Sequence, residues 1–510
     1  MQRYLQKIRA YRSVGFAGIF FRNTNHSQTV LKNTFWLGLG QGLSGLLNFL
    51  VIIFIIRKLG ATEYGKFAYA LAFVSLFSTL FDFGLATTVT RDFARDQSKE
   101  RHLLDLLILK TMLGAFFTVV IIVLAYFTAP DADVRASIFM LIFYIFASEL
   151  INLFYAFFRA RQKMEIEATF RTLQIVLQTS IVFVLVFTNI TVFRLSCAYV
   201  GGAVAALAGI LFYFLWKEHA FIPRKLSFNT QVWREFLVVA VYLAFARGVG
   251  DITANADSVM LGHWGPVEAV GWYNAASKIN AMVLFPMLPI SSAIFPTLIA
   301  VLKESKEKFI GYWESWVKLS LFFSLLVCCM VLAKANQIIT VAYTSKFLPA
   351  AGALKIVIFV AAIAWVGSAY YHILFILEQQ KRILMAITAG ALINVALNVV
   401  LIPRFSLYGA AAAAVATYAT IFCQFLLLTG RHTFVRLANP ALLLTLFVCA
   451  FSGGAMYAFL SLAHMDLWTS LVCGTALYAV CFLILNKLAG DLVRSFLPSF
   501  CKPKVTAECA

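Results

Sequence analysis

FLVVAVYLAFARGVGDITANADSVMLG, residues 236–262, is an apolar run with charges set inside it. It is long enough to cross a hydrocarbon layer about 30 Å thick, which takes roughly 20 helical residues. Arg247, Asp251 and Asn255 follow one another at four-residue intervals. A helix therefore stacks them on one face, with Gly248 and Gly250 loosening the turns beside them. Asp257 follows half a turn on. Ionisable groups at bilayer depth cost at least about 2.5 kcal/mol each, so a span that keeps three of them is expected to use them.

Comparable windows fill the chain on either side. Six precede this one, near 35–56, 67–89, 106–127, 136–158, 172–188 and 193–216. Seven follow, near 279–301, 315–333, 353–376, 384–402, 408–429, 439–460 and 467–486. With 62% hydrophobic and 13% charged residues in 510, there is too little polar surface to clothe a water-soluble core. The mean hydropathy of +0.85 agrees. The expected fold class is an all-α integral membrane protein of about 14 transmembrane helices.

Basic residues resist translocation, so their distribution orients the spans. With the N-terminus inside, thirty Lys and Arg fall in the inner segments and ten in the outer ones. Both termini are expected in the cytoplasm of a multi-pass membrane protein. The net charge of +19 then belongs to short cytosolic loops facing anionic lipid headgroups. No basic face is interleaved with exposed aromatics, so nucleic acid is not an expected partner. The nine cysteines show no metal-ligand spacing, and neither a metal nor a cofactor is implied.

An internal repeat organises the middle. Leu59-Gly60 followed by Tyr64-Gly65 and Phe67 in the first copy corresponds to Leu261-Gly262 followed by Val270-Gly271 and Trp272-Tyr273 in the second. Each copy reads as a helix, a Leu-Gly stop, a short outer turn and an aromatic-rich helix start. The implied organisation is a basic amphipathic cytosolic tail (1–34), an N-lobe of helices 1–6 (35–216) and a cytosolic linker (217–235). A C-lobe of helices 7–12 (236–430) and two extra helices with a cytosolic tail (431–510) complete it. Two copies that start from the same side make parallel six-helix lobes around a central cavity.

The run Ala256 to Gly262, followed by Val270-Gly271-Trp272-Tyr273-Asn274-Ala275-Ala276-Ser277-Lys278-Ile279 and closed by Phe295-Pro296, resembles the seventh-to-eighth helix signature of polysaccharide-transporter flippases. Arg57-Lys58-Leu59-Gly60 through Tyr64-Gly65, Phe81-Asp82-Phe83-Gly84-Leu85, and Asn394 to Ile402-Pro403 with Tyr408-Gly409-Ala410-Ala411 are similar to the same family. The resemblance spans about 33–430, with the Wzx-type O-antigen and exopolysaccharide unit flippases nearest in layout. It implies the multidrug/oligosaccharidyl-lipid/polysaccharide (MOP) superfamily fold. It also implies an undecaprenyl-diphosphate-linked oligosaccharide moved from the cytoplasmic to the outer leaflet by alternating access. Polymerase and chain-length components of a polysaccharide pathway are the expected protein partners.

A diphosphate headgroup suits a guanidinium, which offers a planar fork of donors. Arg247 is the expected contact, with Lys278 and Lys110 behind it. For Lys110, snorkelling to the cytosolic surface is the alternative. For Arg247, an intrahelical pair with Asp251 is the alternative. Asn255, Gln41 and Asn48 are expected to meet sugar hydroxyls, although polar stripes of this kind also hold helices together. Asp251, Asp257 and Asp82 are expected to bind a coupling cation, a proton or sodium; for Asp82, simple pairing with Arg91 or Lys99 is left open. Glu149, Asn152, Gln174, Gln178 and His372 are further polar groups, each individually readable as structural. Pro286, Pro289 and Pro296 interrupt the eighth span, as a hinge of the transport cycle or as a static kink.

Two other function classes fit parts of this pattern. A lipid II flippase or a multidrug/cation antiporter would share the lobes. A membrane glycan polymerase or ligase would need a long outer loop carrying catalytic groups, and the longest outer connection, about 334–352, is short and holds no acid. No hydrolase or phosphate-cradling motif is present, so enzymatic chemistry is not expected.

Overall fold

The computed structural model describes residues 26–188, 190–217, 230–432, 440–463 and 465–496, and every regular element among them is helical. Most of the expected 1–34 tail, residues 218–229 of the expected linker and the last residues from 497 on lie outside the described residues.

The helices are α1 (His26–Leu76), α2 (Ser78–Asp82), α3 (Leu85–Arg95), α4 (Leu103–Thr128), α5 (Ala132–Ala160), α6 (Met164–Phe187), α7 (Val192–Lys217) and α8 (Thr230–Trp264). Then come α9 (Val267–Leu284), α10 (Met287–Glu304), α11 (Lys306–Ala342), α12 (Pro349–Ile376), α13 (Gln380–Phe405), α14 (Leu407–His432), α15 (Pro440–Leu462) and α16 (Leu467–Phe496). Thirteen helical stretches among the described residues are long and apolar enough to cross a membrane. That is one fewer than the fourteen windows of the sequence, because the first window runs into the second across Gly60. Gly60 has φ 75° and ψ −180°, and there α1 divides into two legs. A side chain at that φ would be strained, which is why the Leu-Gly stop ends in glycine.

The window 67–89 is not one helix, contrary to the sequence expectation. Phe77 interrupts it after Leu76, α2 lasts five residues, and Phe83 (φ 51°) and Gly84 (φ 74°) form a left-handed pair before α3. Irregular backbone at bilayer depth is tolerated only where its polar groups find partners inside the protein or in water. Here they find the Asp251 carboxylate, described below. The eighth window is likewise broken, between α9 and α10 at Phe285–Pro286; Pro286 caps α10 and Pro296 sits inside it.

The described chain falls into two compact units. The first holds the described residues of 1–274 with 395–410, and the second those of 275–394 with 411–510. This division follows contacts and cuts elsewhere than the repeat-based lobes, since α8 packs within the first unit. In that unit α5 touches α1, α3, α4, α6 and α7. Leu106, Phe154, Phe157, Phe214 and Phe236 close a core where burial is complete. In the second unit α11 packs against α12 and α15, with Trp313 and Tyr370 in edge-to-face contact and Trp313 Nε1 donating to the Ala369 carbonyl at 3.2 Å. Outward positions remain apolar: Phe127, Phe187 and Leu462 are 78, 73 and 81% exposed, a surface suited to hydrocarbon and not to water.

The two copies of the repeat meet. A Cβ on Gly65 would collide with the Val267 carbonyl, and one on Gly271 with the Ala61 carbonyl. α1 and α9 therefore cross backbone to backbone, which only small residues allow. Thr62 donates to Glu268 across the same crossing at 3.0 Å.

Candidate functional site: a buried four-charge ring

The Phe81-Asp82-Phe83-Gly84-Leu85 motif explains how the site is built. The left-handed pair at Phe83 and Gly84 turns the chain directly after Asp82, leaving its carboxylate 1% exposed. Its Oδ1 accepts from Lys110 Nζ of α4 at 2.5 Å and from the Ala86 amide at 3.3 Å. Its Oδ2 accepts from Arg247 Nη1 of α8 at 3.1 Å. The same guanidinium donates through Nη2 to Glu149 Oε1 of α5 at 2.5 Å, and Lys110 lies 3.6 Å from Glu149 Oε2. Two cations and two carboxylates from four helices close a neutral ring. Burying such charges costs several kcal/mol apiece unless pairing compensates, and here each member has two opposite neighbours.

The ring continues outward. Asn152 Nδ2 donates to Glu149 Oε2 at 3.4 Å and Arg159 Nη2 donates to Asn152 Oδ1 at 3.2 Å. Arg159 pairs with Glu167 at 3.0 Å, which also pairs with Arg171 at 2.8 Å.

The structure resolves several alternatives. Arg247 is paired with acids of other helices and not with Asp251 of its own. Lys110 is 1% exposed and does not snorkel. Asp82 does not face Arg91 or Lys99, which pair with Asp92 and Glu235.

Asp251 serves the broken backbone. Its Oδ2 accepts from Ser78 Oγ at 2.8 Å, Thr79 N at 3.1 Å and Thr79 Oγ1 at 2.5 Å, so it satisfies groups released at the interruption before α2. Asn255 donates to the Asp251 carbonyl of its own helix at 2.9 Å. Asp257 is buried and accepts from Tyr273 Oη at 2.6 Å and from Asn398 Nδ2 at 2.6 Å, tying α8 to α9 and α13. Gln41 and Asn48 lie exposed on α1, with Ser44 buried between them. Lys278 is half-buried on α9 and makes no hydrogen bond or ion pair with another described residue. A crevice of about 380 Å³ runs beside the ring, lined by Thr79, Phe83, Ala244, Phe245, Gly248 and Ile252 among others, and is apolar apart from Thr79.

Sequence reasoning underrated Glu149. Its signal was the one that singled out Arg247, an ionisable side chain deep in an apolar span, but α5 carries no companion charge near it to mark a face. Its charged partners come from other helices, Lys110 of α4 and Arg247 of α8.

The fold is similar to that of the inward closed conformation of the lipid II flippase MurJ, with a TM-score of 0.73 at 13% identity over 90% of this chain and 99% of that one. It is also similar to an inward-facing multidrug resistance MATE family transporter of the MOP superfamily, with a TM-score of 0.62 at 15% identity over 76% of this chain and 94% of that one. An uncharacterized membrane protein of Methanocaldococcus jannaschii is 22% identical over 424 residues, covering 77% of this chain and 82% of its own. Residues 30–302 match the polysaccharide biosynthesis protein family, and the chain belongs to that family.

Proposed function

We propose that this protein is a flippase. Its cargo is an undecaprenyl-diphosphate-linked oligosaccharide repeat unit, carried from the cytoplasmic to the outer leaflet of a bacterial inner membrane for O-antigen or exopolysaccharide assembly. The observation that carries the reading is Arg247: a guanidinium inside a helix long and apolar enough to cross a membrane, 34% exposed, in a chain of the polysaccharide biosynthesis protein family. Arginine is the side chain best matched to a diphosphate in a low-dielectric setting. The apolar crevice along the same helix suits the start of a prenyl chain. The exposed Gln41 and Asn48 suit sugar hydroxyls.

Alternating access would involve the two repeat-based lobes, 35–216 and 236–430, with the break at Pro286 as a bending point. Coupling to a proton or sodium ion would use Asp257 or Asp251, since Asp82 is already neutralised by Lys110 and Arg247. One charge moving inward through about 100 mV releases about 2.3 kcal/mol, enough to bias a near-symmetric lipid exchange.

The test is to deplete the protein in cells and assay lipid-linked glycans by mass spectrometry together with leaflet-specific labelling. Accumulation on the cytoplasmic face, reversed by wild type and not by Arg247→Ala, is the expected result. Accumulation on the outer face would identify a polymerase or ligase step instead, and a lipid-linked peptidoglycan precursor as the accumulating species would identify a lipid II flippase. The same assay with proton or sodium gradients collapsed in turn checks the coupling ion.

The lipid II reading draws on the MurJ-like fold, and both cargoes present the same diphosphate. The multidrug/cation antiporter reading is disfavoured because Asp82 and Glu149 are already neutralised by Lys110 and Arg247.

A further inference from the structure

We infer that Glu149 is a built-in stand-in for the substrate's phosphate: it occupies the Arg247 guanidinium until the cargo headgroup displaces it. The inference rests on the reading of Arg247 as the headgroup contact.

The two carboxylates of the ring are not equivalent. Asp82 is 1% exposed and held by three donors, with the Lys110 contact at 2.5 Å, so it remains as the counter-ion of Lys110. Glu149 is 9% exposed, and apart from Arg247 its partners are distant, Lys110 at 3.6 Å and Asn152 at 3.4 Å. Arg247 is the ring member that reaches the surface, at 34% exposure. An arriving anion therefore meets Arg247 first; although Glu149 sits closer to the guanidinium than Asp82 does, at 2.5 against 3.1 Å, it is the carboxylate with no second close donor to hold it in place and the one that can move away.

The surroundings provide for the displaced carboxylate. The contact chain from Lys110 to Arg171 contains Lys110, Arg247, Arg159 and Arg171 against Asp82, Glu149 and Glu167, one cation in excess. Glu149, Asn152 and Arg159 are three and seven residues apart along one face of α5. Glu167 is shared by Arg159 and Arg171, so Arg159 has positive charge to spare toward Asn152 and Glu149. The excess cation offsets one of the two charges that a dianionic headgroup brings, and the displaced Glu149 carboxylate stays within reach of Asn152 and Arg159. A neutral or cationic molecule gains nothing from opening the ring, so Glu149 also acts as a filter for anions.

Glu149 is thus a positioning residue, acting on the cargo through Arg247. The probe is undecaprenyl phosphate titrated into the purified full chain in lipid nanodiscs, with transport followed in parallel in cells. Glu149→Gln keeps an acceptor for Arg247 but removes the competing charge. It is expected to bind the probe about tenfold tighter, the worth of one charge-assisted hydrogen bond, while transport slows because release is no longer driven by the returning carboxylate. Asn152→Ala leaves every charge in place and removes one donor from Glu149 and one acceptor from Arg159; a smaller gain in the same direction is expected, which keeps the test sound if Glu149→Gln folds poorly. Arg247→Ala is expected to weaken binding in both backgrounds. If Arg247→Ala weakens binding and the other two variants bind as wild type, or bind more weakly, the exchange is refuted while the flippase reading stands. If Arg247→Ala binds as wild type, the headgroup assignment fails and the exchange with it.

Discussion

Asp82 shows what a single side chain does in this protein. Its carboxylate neutralises Lys110, which is buried and has no water to turn to. Removing one partner of such a pair leaves an uncompensated charge, at a cost of about 3–5 kcal/mol, whereas removing both at once is often close to neutral. Asp82→Asn is accordingly expected to lower thermal stability in detergent steeply, and Asp82→Asn combined with Lys110→Met to recover most of the loss. Strict additivity of the two substitutions would show that the pair does not form. Of this site, the ionisable residues were legible in the sequence, because charge inside an apolar window is conspicuous. Their pairing was not: Arg247 stands four residues before Asp251, an intrahelical partner on paper, and instead reaches acids 165 and 98 residues away.

At the scale of elements, glycine and broken helices carry the architecture. The repeat motif Tyr64-Gly65 against Val270-Gly271 was visible as a pattern, and the structure gives its physical cause, a crossing of α1 and α9 too close for side chains. Gly271→Val is expected to force the two helices apart and abolish transport, with Gly271→Ser milder; leaflet labelling of cells carrying each variant checks it. The short α2 was not legible, since Leu76 to Leu85 contains no proline and reads as continuous helix. Its breaks depend on Asp251, 172 residues downstream, which satisfies the interrupted backbone through Thr79.

For the whole molecule, orientation follows from the lysines and arginines. With thirty inside and ten outside under the expected topology, a reporter active only in the cytoplasm is expected to report when fused after residue 432 or at the C-terminus. One fused in the 129–131 connection is expected to stay silent. Activity in that outer connection would invert the topology and move the arginine chain of α5 and α6 to the other face.

Composition and hydrophobic window length were enough to establish a polytopic helical membrane protein, because spanning a bilayer is a one-dimensional requirement that each segment meets alone. The ordered motifs from Arg57 to Ala411 were enough to indicate the family, since turns and glycine contacts leave local traces. Which charges neutralise which, where the second span breaks and which acid holds Arg247 were settled in three dimensions. Those outcomes depend on distances between helices far apart in sequence, and a buried charge is compensated by whatever the fold brings within reach.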